Sequence, residues 1–290
     1  AQGAKLVNKA IASGAMFESD VWHTAVEHGR TGTLHVLGLH SDGNVHSHNE
    51  HLYAMLRRAA DEGVTSAAVH ILHDGRDVPA RSARDYITAT EAVLAEINDA
   101  AAGRNFRIAS GGGRMKITMD RYEADWSMVE RGYHCHTHGT GRTFGSATEA
   151  VEAMYAESDT GDQYLGEFVV VDDQGIPVGT IADGDAVILY NFRGDRAIEI
   201  SRAFEEPDFG VFDRTAADGA THPDVSFAVM LQYDGDALVP KRYLVAPPAI
   251  DRTMSEFLCA EGVRSFAISE TQKYGHVTYF CKGNRSGYID

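Results

Sequence analysis

Short apolar, often β-branched runs recur along the chain, and helical patterns fill the intervals between them. Thr33–Leu39 (TLHVLGL) and Ser66–Leu72 (SAAVHIL) read as buried strands. Phe106–Ala109, Phe168–Val171, Ala186–Tyr190, Ser226–Leu231 and Ser265–Ile268 follow in the same style. Runs that are apolar throughout suit strands covered on both faces. Between them, Leu52, Met55, Leu56 and Ala59 mark one helical stripe, and Ile87, Thr90, Leu94 and Ile97 another. Further helices are expected over Ala147–Ala156, Ala197–Phe204 and Met254–Cys259. Strands and helices in alternation predict an α/β fold, a three-layer α/β/α sandwich around a mostly parallel sheet.

The 290 residues carry a formal net charge of −16, so nucleic acid and anionic membrane surfaces are poor partners for this chain. No apolar stretch approaches the length of a membrane span. Cys135, Cys259 and Cys281 are too few and too scattered for a disulfide framework and suit a reducing cytoplasm. The opening AQGAKLVNKA reads as neither a signal peptide nor a natural start. Pro247-Pro248 is the clearest break in the chain and a candidate hinge.

The polar residues follow the strands. The first strand leads into HSDGNVHSHNEH (40–51), the second into HDGRD (73–77), the third into SGGGRMKITMDR (110–121), and a later one into NFRGDR (191–196). Ligands of open α/β sheets bind outside the carboxyl ends of the strands, where these motifs fall. Arg76, Arg114, Arg121, Arg193 and Arg196 would make a positive pocket in a negative body, suited to a small ligand with more than one anionic group. The alternative is a set of surface salt bridges to the abundant acids. Asp77, beside Arg76, suits an acceptor for hydroxyl groups, or a turn or helix cap. His46 suits hydrogen bonding or proton handling at a strand end.

Two histidine clusters invite a metal reading: Asp42 with His46, His48 and His51, and His134-Cys135-His136-Thr137-His138, where H-x-H would place two rings on one side of a strand. Neither has a specific metal signature, and no catalytic role is expected of the second. SGGGR lacks the order of a nucleotide loop, and its glycines are expected to allow positive φ and close backbone approach. Lys273, in SETQKYGHVTY, offers a point charge suited to a phosphoryl group, or is an ordinary surface lysine.

SDGNVHSH, HDGRDVPARSA, SGGGRMKITMDRYEADW, YNFRGDRAIEIS and SETQKYGHVTYFCKGNRSGYI, in that order, resemble the cofactor-independent (2,3-bisphosphoglycerate-independent) phosphoglycerate mutases of the alkaline phosphatase superfamily. The spelling of the third motif looks closer to the plant and trypanosomatid branch than to the common bacterial form. The resemblance implies interconversion of 3-phosphoglycerate and 2-phosphoglycerate through a phosphoserine, with two divalent ions, typically manganese. Carried over by motif, the substrate-binding residues are His46, Arg76, Asp77, Arg114, Arg121, Arg193, Arg196 and Lys273, with Asp77 and His46 closest to the chemistry. It further implies that residues 14–248 are the phosphotransferase (substrate-binding) domain, and that 1–13 and 249–290 are fragments of a phosphatase-like domain. The serine and most metal ligands would then lie outside this sequence, in the rest of the polypeptide, and this fragment alone would be inactive and bind no metal. Two rivals remain at this point: a metal-dependent hydrolase using His46, His48 and His51, and a non-catalytic module that binds a phosphorylated acid.

Overall fold

The computed structural model describes residues 2–233, 239–246, 252–270, 277, 280–282 and 289. One sheet of eight strands runs through it: β1 (Leu34–His40), β2 (Ser66–His73), β3 (Asn105–Gly113), β4 (Arg142–Phe144), β5 (Phe168–Val170), β6 (Ala186–Leu189), β7 (Ser226–Leu231) and β8 (Tyr243–Val245). The spatial order is β4-β5-β3-β2-β1-β6-β7-β8. From β3 to β8 every pairing is parallel, and the β5–β4 ribbon joins β3 in the antiparallel sense.

The helices are α1 (Gln2–Ala12), α2 (Asp20–Thr31), α3 (Asn49–Asp61), α4 (Ala83–Asp99), α5 (Trp126–His138), α6 (Ala147–Glu157), α7 (Ile198–Glu205) and α8 (Met254–Ala260). Side chains from α1 to α4 and α6 pack with Val36, Val69 and Ile108 on one face of the sheet. Those of α5 and α7 pack with Leu37, Leu72 and Val229 on the other. The three-layer α/β/α architecture therefore stands, because buried parallel strands need a helix layer on each side. Helix α1 contributes Ala4 and Val7 to the larger core, whereas α8 contributes no buried side chain.

This layering positions the site. The chain leaves β1 and β2 into helices on the first face, and leaves β3 and β6 into helices on the second. Adjacent β1 and β6 thus send their loops in opposite directions, which opens a crevice at the strand tips.

Three expectations change. Ser265–Ile268 is coil, with Phe266 87% and Ile268 76% exposed. A single apolar run forms no strand without a neighbour to pair its backbone, and none pairs with it among the described residues. The His134–His138 cluster ends α5, whose carboxyl cap is Gly139 at φ 69°, so it lies on no strand. Ser110–Gly113 belong to β3 itself, and the three glycines do not adopt positive φ. Close approach is what they allow: a Cβ on Gly113 would meet the Gln163 carbonyl oxygen at 2.4 Å, and one on Gly111 the Ile71 carbonyl at 2.5 Å. Pro247-Pro248 falls outside the described residues.

Candidate anion-binding site at the strand tips

The tips of β1, β2, β3 and β6 are tied to one another by backbone. The Phe192 N–H donates to the His46 carbonyl at 2.8 Å, and the Leu39 N–H to Asn191 Oδ1 at 2.9 Å. Arg114 N–H donates to the His73 carbonyl at 3.0 Å. In HDGRD, Gly75 takes φ 57° with the Ala80 carbonyl 2.9 Å from where a Cβ would sit, a conformation that favours glycine.

Arg114 is the pillar of the site, 2% exposed. Its Nη1 donates to Asp74 Oδ1 at 2.7 Å and to Asp77 Oδ2 at 2.6 Å, and its Nη2 donates to His46 Nε2 at 2.7 Å. Asp74 is held in turn by the Ser41 hydroxyl at 2.7 Å. His46 is buried, and burial together with Arg114, Arg193, Arg196 and Arg121 presses its pKa down to about 2. It is therefore a neutral imidazole. Because Nε2 accepts from Arg114, Nδ1 carries the proton, 3.6 Å from Asp195 Oδ1.

The arginines divide into two groups. Arg114 and Arg193 are ion-paired, the latter to Asp195 at 2.8 Å. Among the described residues Arg76, Arg121 and Arg196 have no carboxylate partner. Arg196 is buried and donates through Nη1 to the Met119 carbonyl at 2.6 Å. Burial, then the charges of Arg121 and Arg114, and also of Arg76, bring its pKa down to about 10. Five guanidinium groups from three strand tips thus share one field. Among the described residues the salt-bridge alternative holds for Arg193, takes a buried form for Arg114, and finds no acid for the other three.

The segment after β3 is unusual. Thr118, Tyr122 and Glu123 adopt φ of 66°, 61° and 56°. For a β-branched residue such as Thr118 this costs about 1–3 kcal/mol and needs support from its surroundings. At its end, Asp120 and Glu199 are both buried. Glu199 accepts from the Glu123 N–H at 3.0 Å, and burial plus the neighbouring Asp120 push its pKa up to about 7.

The His46/His48/His51 cluster does not converge. His46 Nε2 faces Arg114, His48 Nδ1 caps α3 by accepting from the Glu50 N–H at 3.2 Å, His51 Nε2 turns to Asn8, and Asp42 bonds to Tyr86. His134 and His138 bond to the carbonyls of Asp213 and Arg214. Among the described residues no group of three or more His, Cys, Asp or Glu is arranged to hold a metal ion, so these residues do not fit the expected divalent ions. Lys273 lies outside the described residues. Sequence reasoning missed Asp74 and Ser41: both stand in motifs it singled out, but spacing alone does not show which of two neighbouring carboxylates turns inward.

Residues 7–235 match the family described as "BPG-independent PGAM N-terminus (iPGM_N)". The chain is 54% identical over its whole length to a probable 2,3-bisphosphoglycerate-independent phosphoglycerate mutase of Leptospira interrogans, and covers 52% of that protein. It is 50% identical to the 2,3-bisphosphoglycerate-independent phosphoglycerate mutase of Trypanosoma brucei brucei, with 99% of this chain and 52% of that protein covered. A crystal structure of Leishmania mexicana phosphoglycerate mutase, determined at low cobalt concentration, matches 100% of this chain and 52% of its own, at a TM-score of 0.92 and 48% identity. The chain spans about half the length of the curated relatives it matches. On the family match and these identities, the chain belongs to the BPG-independent phosphoglycerate mutase N-terminus family.

Proposed function

We propose that this chain is the substrate-holding part of a cofactor-independent phosphoglycerate mutase, an isomerase that interconverts 3-phosphoglycerate and 2-phosphoglycerate through a phosphoserine in cytoplasmic glycolysis and gluconeogenesis. One observation carries the reading: in a body of net charge −16, Arg76, Arg121 and Arg196 share one field with Arg114 and have no carboxylate partner among the described residues. Cations held this way suit a ligand that brings its own negative charge on two groups, as a phosphoglycerate does.

The geometry supports a division of labour. Phosphoryl transfer depends on positioning and charge neutralisation more than on covalent help. Arg76, Arg121, Arg193 and Arg196, joined by Lys273, hold the phosphate and carboxylate. Arg114 fixes Asp77 by one carboxylate oxygen and leaves the other for a glycerate hydroxyl. His46, neutral and with Nε2 held by Arg114, orients the substrate through its Nδ1–H.

In this reading the serine nucleophile and two divalent ions, manganese foremost, come from polypeptide outside these residues. Residues 14–248 form the substrate-holding unit, while 1–13, which pack on that unit through Ala4 and Val7, and 249–290 belong to the phosphatase-like part. The exposed α8 supports the second boundary.

Calorimetry with 3-phosphoglycerate tests the site. The native chain is expected to bind, and Arg121→Gln to weaken binding about 10–100-fold, the equivalent of one charge-assisted contact. With manganese added, the chain alone is expected to show no mutase turnover. Equal affinity in the variant would remove the arginine assignment, and turnover at the rate of a full enzyme would remove the division of labour.

A further inference from the structure

A file of buried polar side chains crosses three adjacent strands on the α5 and α7 face of the sheet. Asp185, at the start of the β6 region, meets His35 Nε2 at 3.1 Å. His35 Nδ1 meets His70 Nε2 at 3.0 Å, and His70 Nδ1 meets Ser110 Oγ at 2.7 Å. Ser110 Oγ meets His136 Nδ1 at 2.7 Å, and His136 Nε2 meets Thr118 Oγ1 at 3.0 Å. Each of these five residues from His35 to Thr118 is at most 2% exposed.

With all three imidazoles neutral, the file has one proton order. Burial works against the Asp185 carboxylate, but hydrogen bonds from His35 and from the Thr33 and Ala182 N–H groups outweigh it and hold its pKa below the usual value, so Asp185 only accepts. A neutral imidazole has one donor and one acceptor nitrogen, which sets every later bond. Thr118 donates to His136, His136 to Ser110, Ser110 to His70, His70 to His35, and His35 to Asp185. Burial holds His70 well below its ordinary value and His136 down at about 3, so both stay neutral.

The backbone is shaped to complete this file. The pairing of β2 with β3 shifts by one residue between Val69 and His70, so that Ser110 rather than Ala109 stands beside His70. Because strand side chains alternate, that bulge turns the Ser110 hydroxyl to the α5 face. Gly132 makes room at the far end, where a Cβ would lie 2.0 Å from Thr118 Oγ1. Thr118 itself holds φ 66°. Its N–H donates to the Met128 carbonyl at 2.8 Å. The next residue supplies the carbonyl that holds Arg196, and Arg121 follows two positions later.

We propose that Thr118 is a positioning residue: its hydroxyl, fixed by the proton-ordered file that ends on Asp185, sets the segment carrying Arg121 and the Met119 carbonyl, and with it the spacing of two anion-binding cations. This rests on the anion-site reading above.

The test compares Thr118→Val, which keeps the branched shape and removes the donor, with Thr118→Ser, which keeps the donor. Nitrogen NMR of the full chain is expected to find hydrogen on Nε2 of His35 and His70 and on Nδ1 of His136. Below its urea midpoint, the Val variant is expected to bind 3-phosphoglycerate about 10-fold more weakly, and the Ser variant within about 2-fold of native. Inorganic phosphate, which spans fewer cations, is expected to lose less. A merely structural role would lower the midpoint without changing the affinity of the folded protein. Native-like affinity in the Val variant, or the opposite tautomers, would overturn the proposal while leaving the functional reading intact. A native chain that binds neither anion would overturn both.

Discussion

The strand tips and the sheet interior treat buried polar groups in opposite ways. In the interior, each side-chain nitrogen and oxygen from His35 through Thr118 has a partner at 2.7–3.1 Å. At the tips, His46 Nδ1, Arg114 Nε and both nitrogens of His73 are buried without a hydrogen-bond partner among the described residues. An unsatisfied buried polar atom costs about 1–3 kcal/mol, so the interior is arranged for order and the tips retain unmet demand. Binding sites and strain gather where such demand is left, and the positive φ values of Thr118, Tyr122 and Glu123 mark the same border.

Acid is expected to strain the contrast most. His40, His70, His73 and His136 are at most 1% exposed, and burial lowers all four, to about 3, well below normal, about 4 and about 3 respectively. The unfolded chain takes up protons near pH 6.5 that the folded chain refuses. Stability is therefore complete above pH 6.5 and falls as the pH drops towards about 4, by up to about 1.4 kcal/mol per pH unit for each fully buried imidazole. Urea midpoints measured from pH 7.5 to 5 read this directly, and a constant midpoint would mean that the imidazoles are not held neutral.

A smaller effect separates the two regions. Ser110→Ala breaks the interior file and leaves His70 and His136 each short of a partner, which is expected to cost about 1–3 kcal/mol of unfolding free energy. No such loss would show that the interior is as slack as the tips.

The smallest effect lies at the border. Glu199 has its pKa raised to about 7, so the folded chain keeps a proton that the unfolded chain has released above about 4.5. Its contribution therefore weakens stability as pH rises from 4.5 to 7, opposite in sign to the histidines. Glu199→Gln, compared with native over that window, is expected to show a steeper rise of stability with pH. An identical slope would mean that Glu199 titrates normally.

Much of the frame was readable from residue order. The apolar runs locate six of the eight strands because a strand covered on both faces must be apolar throughout, a local property of the chain. The short β4 and β8 carry too few residues to stand out, and Ser265–Ile268 has the composition of a strand but no partner among the described residues. Charge placement locates the arginine motifs at the strand tips, because loops after parallel strands share one edge. The same reasoning set aside the whole His134–His138 cluster, although its middle histidine turns inward from α5 and joins the buried file.

Sequence by itself determined the layer architecture, the anionic body and the cationic tips, since these follow from periodicity and from residue types at fixed chain positions. Tertiary structure alone decided which arginines keep an acidic partner, which of Asp74 and Asp77 is buried, and how a one-residue bulge sets Ser110 between two histidines. Those outcomes depend on distances of a few ångströms between residues tens of positions apart, and no local pattern along the chain encodes them.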